Sequence, residues 1–137
     1  MDPVDLLERI AATLRHDVGP AVGADYPRTQ AYMASVVLGK LAGELRAQPA
    51  HSRAATAEAD ALYADLQAAA RAGELPRAVV GAVEAAARER SDAHLGRLIE
   101  QLYAHRDALG VVRFAALLGR IRQALKARLA RELEYSA

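Results

Sequence analysis

The sequence predicts an all-α protein: a single domain over residues 1–137, built as an antiparallel bundle of five or six helices. Three observations carry this. Hydrophobic residues make up 53% of the chain while aromatics supply only 4%, and the balance is chiefly Ala and Leu, both strong helix formers. Apolar residues recur at three- and four-residue steps along most of the length, which is the period of a helix face and not of a strand. Gly, Pro and capping residues fall between these stripes and leave only short turns. With 137 residues the chain is long enough to enclose one core without disulfides or metal.

Asp2 before Pro3 starts the first helix, an acceptor at the N-cap followed by a residue whose missing N–H costs nothing there. Leu6, Leu7, Ile10, Ala11, Leu14 and Val18 give its apolar stripe, and Gly19-Pro20 is expected to stop it. After a short loop, helix two is expected from about Pro27 to Gln48, ending before Pro49. Helix three starts near Ser52, buries Ala55, Ala59, Leu62, Leu66 and Ala69, and ends at Gly73. Pro76 opens a fourth helix through Val79, Val80, Val83 and Ala87. Ser91-Asp92 is then either a new cap or a polar turn on one longer helix. Leu95, Leu98, Ile99, Leu102 and Tyr103 form the next stripe, Gly110 breaks it, and the last helix carries Phe114, Leu118, Ile121, Leu125 and Leu129.

Several function classes find no support. Without Cys there is no disulfide framework, thiolate metal site or thiol nucleophile, which agrees with a reducing compartment and a cytoplasmic location. None of His16, His51, His94 or His105 follows a Glu by three residues, so the inward Glu-x-x-His pairs of a di-iron bundle are missing and no metal is expected. Gly39 and Gly43 lie inside a helix, where their amides are already bonded, so they build no phosphate loop. No catalytic or cofactor-binding residue stands out. The longest apolar stretch, Ala31 to Leu45, contains Lys40 and Glu44 and is too short for a membrane span. A net charge of +1 and few aromatics give no footprint for nucleic acid.

Two features rise above this background. On helix two, Ala34, Val37, Leu38, Leu41 and Leu45 read as an ordinary core face. The opposite side holds Tyr32, Ser35, Val36, Gly39 and Gly43 and is almost free of charge. Glycine inside a helix costs about 1 kcal/mol relative to Ala, which makes sense where another backbone approaches closely. Two arrangements suit such a face: a central helix buried on both sides by its own chain, or a subunit interface. The last helix carries Arg113, Arg120, Arg122, Lys126, Arg128 and Arg131 with no acid between Asp107 and Glu132. Arg113, Arg120, Arg128 and Arg131 fall close together on the wheel. They are candidate contacts for an acidic partner or the phosphates of a ligand such as coenzyme A, unless the chain's own acids neutralise them.

The residues also carry a resemblance. Leu6-Leu7-x-x-Ile10 with Leu14-Arg15 and Val18-x-Pro20, the Glu44-Leu45 close of helix two, the turn Arg71-Ala72-Gly73-Glu74-Leu75 and the tail Leu125-Lys126-Ala127-Arg128-Leu129-Ala130 resemble a family of small helical proteins. That family includes LvaB-type accessory subunits. The resemblance implies a non-catalytic accessory subunit of an aminoglycoside-phosphotransferase-like kinase in hydroxyacyl-CoA catabolism, where acyl-CoA dehydrogenases are encoded nearby. The chain departs from the family at Tyr32 and Val36, where Arg and Asn are usual, and at Leu133-Glu134-Tyr135, which replaces Asn-Pro-x-Tyr. No family residue is therefore carried over as a site. Read from the residues alone, the alternative is a homodimer that holds a small apolar or acyl ligand between helices.

Overall fold

The computed structural model describes residues 1–136. The fold is all-α, with no strand among the described residues. The first helix comprises α1 (Pro3–Thr13), a wider π-type turn (Leu14–Val18) and α2 (Gly19–Ala21). α3 (Asp25–Arg71), α4 (Arg77–Arg88), α5 (Asp92–Ala104), α6 (Arg106–Leu109) and α7 (Val111–Ser136) follow. Among the described residues, no helix is long and apolar enough to cross a membrane.

Two expected breaks are corrected. Gly19-Pro20 does not stop the first helix, because the turn before it widens: the Gly19 amide donates to the carbonyl of Leu14, five residues back. This loosened turn accommodates the Pro20 ring, which in a regular helix meets the carbonyl four residues earlier. Nor does Pro49 end a helix. It lies inside the 47-residue α3, so the expected second and third helices are one. Ser91, left open by the sequence, is a true N-cap: its Oγ accepts from the His94 amide at 3.1 Å and α5 begins there. Such a cap contributes about 1 kcal/mol.

The chain divides into two compact units. Residues Ala54–Leu133 form a helical bundle with a continuous core of Leu62, Leu66, Val79, Val83, Leu95, Leu98, Leu102, Leu109, Leu117 and Ile121. The apolar periodicity picks out nearly all of these positions. Gly110 closes α6 at a φ of 81°, a conformation that side chains with a Cβ rarely adopt, and so lets α7 start at once.

The other unit comprises Met1–Arg53 with the C-terminal residues Glu134, Tyr135 and Ser136. Here the first helix folds back antiparallel along the first part of α3. Arg46 meets Asp5 and Glu8 at one end, its guanidinium 2.9 Å from the Glu8 carboxylate. At the other end Arg28 donates from Nε to the Val22 carbonyl at 3.0 Å. Gly19 lies against the Tyr32 ring so closely that an added Cβ would stand 2.9 Å from it. The C-terminal tail returns to the same unit, with Tyr135 stacked on His51 at 4.3 Å between ring centres and its hydroxyl donating to the Glu44 carbonyl.

Candidate functional site

The two helices of the N-terminal hairpin meet along a seam of small and half-buried residues. Val4, Leu7, Ala11 and Leu14 line it on the first helix, and Arg28, Ala31, Ser35, Leu38 and Ala42 on α3. Both sets step by three and four, so each is one stripe of its helix. The only fully buried residues of the hairpin are Gly19, Ser35 and Ala42. Small side chains bring the backbones together, but they remove little apolar surface from water.

The core face expected on α3 is therefore displaced. Ala34, Val37, Leu41 and Leu45 are exposed, Val37 by 54% and Leu41 by 44%, and only Leu38 is partly buried. The first helix docks on Ala31, Ser35 and Ala42 instead, because that stripe permits closer approach. Leu6 and Ile10, counted as core stripe on the first helix, are likewise 46% and 42% exposed.

The five residues singled out as a candidate interface do not share one fate. Ser35 is buried, and its hydroxyl donates to the Tyr32 carbonyl at 2.7 Å. That placement corrects its assignment to the open face. Tyr32 covers Gly19 with its ring and is itself 38% exposed. Val36, Gly39 and Gly43 are exposed, and a Cβ added at either glycine would meet nothing within 4 Å. Space for another backbone is thus left open along Val36, Gly39 and Gly43.

The four candidate arginines of the last helix, Arg113, Arg120, Arg128 and Arg131, are all answered within Ala54–Leu133. Arg120 pairs with Asp65 at 2.7 Å and Arg128 with Asp92 at 2.9 Å. Arg131 pairs with Glu58, and Arg113 with the carboxylate and, at 3.0 Å, the carbonyl of Glu74. Cations already matched to carboxylates offer little to an external anion. The row therefore serves to tie α7 to α3, α5 and the turn before α4. Their partners lie 36 to 73 residues away in sequence, so no local pattern marks the pairing. A small cavity of about 110 Å³ lies among Leu62, Tyr63, Leu95, Leu125, Arg128 and their neighbours. Ligand pockets usually span about 300–1,000 Å³, so it is a packing void and not a cofactor site.

Tyr63, 5% exposed, is held by that packing. Burial raises its phenol above the usual value of about 10, the Arg90 guanidinium 5.1 Å over the ring partly opposing this, and the Asp92 carboxylate adding to it. A phenol raised on folding stabilises the native state fully below the unfolded value, and that contribution is lost as pH rises through the folded value. Tyr63→Phe is expected to flatten the alkaline fall in stability above about pH 10, read by urea unfolding at a series of pH values. An unchanged alkaline slope would show that other groups control it.

No protein-family model, curated protein or solved structure matches this chain.

Proposed function

We propose that this chain is a non-catalytic interaction subunit that works through its N-terminal hairpin. One observation carries the reading: the hairpin buries no side chain larger than Ala or Ser, yet leaves Leu6, Ile10, Val18, Met33, Val36, Val37, Leu41 and Leu45 each 39–58% exposed. Single exposed aliphatics are ordinary, but so many on one pair of helices form a surface that another protein covers. The resemblance supplies the partner's chemistry. It is a phosphotransferase-like kinase acting on hydroxyacyl-CoA substrates in the cytoplasm, which performs the reaction while this subunit supports it.

The open track of Val36, Gly39 and Gly43 is the proposed place of close backbone approach to that partner. Gly39→Leu has room to be built without disturbing the fold, since no neighbour lies within 4 Å of the added Cβ. Capture of the tagged chain from its native cells is expected to bring down a phosphotransferase-like kinase. The Gly39→Leu variant is expected to lose it while keeping its helical content and melting temperature. A kinase that is soluble and fully active without this chain, or one captured equally well by the variant, would overturn the proposal.

A further inference from the structure

The hairpin has two open flanks, and they differ in chemistry. At 100° per residue, measured from the seam, Arg46 and its partners Glu8 and Asp5 all fall on one side, together with Tyr32, Gly39 and Gly43. The other side collects Leu6 and Ile10 from α1 with Ala34, Val37, Leu41 and Leu45 from α3. Leu45 and Leu41 stand level with Leu6 and Ile10, because the helices are antiparallel and Arg46 is level with Glu8. The aliphatic residues therefore form one continuous patch. From Pro3 to Thr13 on α1 and from Gln30 to Gln48 on α3, the one ionisable side chain on this flank is Glu44, at its outer edge beside Val37.

We infer that this flank is a self-association surface, covered by the same flank of a second copy. The inference rests on the interaction reading but assigns a different face and a different occupant from the glycine track. Across a two-fold axis the patch meets itself, with residues near its middle such as Leu41 opposite their own copies, so a face of one sign of charge repels its own copy. An aliphatic face whose single carboxylate lies at the outer edge incurs little such penalty, and a second copy brings an equal apolar area by symmetry. The dimensions agree. Gln30 to Gln48 is about 27 Å of helix, and two packed helices are roughly 20 Å across, giving about 500 Å² in projection. The corrugated surface is larger, on the scale of the ~800 Å² that each partner buries in a standard interface, with an aliphatic centre and the polar Gln30, Gln48 and Thr13 at the rim. Two such hairpins stacked face to face make a four-helix bundle, which encloses the side chains that one hairpin leaves wet.

Sedimentation equilibrium of the purified full chain is the test. The wild-type chain is expected to be a dimer, and Leu41→Asp, at an exposed position, is expected to weaken association at least about a hundredfold with unchanged helical content. The chain has no cysteine, so Leu41→Cys is a clean second probe and should form an intermolecular disulfide on mild oxidation. An exposed control, Val112→Cys, should not. A monomeric wild type overturns the inference, as does a dimer that survives Leu41→Asp and fails to cross-link through Leu41→Cys. The two readings fail separately. A dimer that captures no kinase leaves self-association standing, whereas a monomer that captures one removes self-association alone.

Discussion

Leu98→Ala is expected to destabilise the unit Ala54–Leu133 by about 3–5 kcal/mol, the upper part of the range for a buried leucine replaced by alanine. Leu98 has no exposed surface and lies in the α5 stripe that the rest of that core surrounds. Its neighbours are on several helices, and their positions are fixed by the Ser91 cap, the Gly110 turn and the arginine pairs of α7, so the site collapses poorly around a cavity. The loss is a large fraction of the roughly 5–15 kcal/mol that holds a domain together. In a unit of this size it should lower the melting temperature by roughly 12 °C or more. Thermal unfolding followed by helical circular dichroism reads it directly. Leu129→Ala, on the same scaffold but 57% exposed, is the control and should change little. A Leu98→Ala midpoint within a few degrees of wild type would mean that α5 does not pack as described.

The contrast between Leu98 and Leu41 explains how much of this protein was legible beforehand. Helical periodicity finds an apolar stripe, and both leucines lie on one. Periodicity does not say whether anything covers the stripe, and for Leu41 the fold leaves it open because the first helix prefers the small-residue seam at Ala31, Ser35 and Ala42. The second face of α3 was legible as charge-poor, and Val36, Gly39 and Gly43 are indeed exposed, but Ser35 turned inward with the seam. The arginine row was legible as a cluster on one face of a helix. Its neutralisation was not, since Asp65, Glu58 and Glu74 reach it only through tertiary structure. Punctuation was read correctly at Gly110 and left open at Ser91, which the structure makes a cap. It was misread where proline is tolerated, at Pro20 behind a widened turn and at Pro49 inside α3.

Pro49 leads to the second large effect, of opposite sign. A proline in a helix interior costs about 3 kcal/mol relative to alanine, because it cannot donate to the carbonyl four residues back and its ring crowds that carbonyl. At Pro49 that carbonyl belongs to Leu45, and the adjacent Glu44 carbonyl takes a donor from outside the helix, the Tyr135 hydroxyl at 3.2 Å. Tyr135 also stacks on His51, so the C-terminal tail grips α3 on both sides of the proline. Pro49 is exposed, and alanine there restores the ladder without filling or emptying a core. Proline also restrains the unfolded chain by about 0.4–1 kcal/mol, which offsets part of the gain. Pro49→Ala is therefore expected to stabilise the protein by about 2 kcal/mol and raise its melting temperature. Pro49→Gly should gain about 1 kcal/mol less, since glycine restores the donor but loses more backbone freedom. If both variants melt below wild type, the Tyr135 clasp beside the proline contributes more than the ladder bond that proline removes, and α3 is built around its proline.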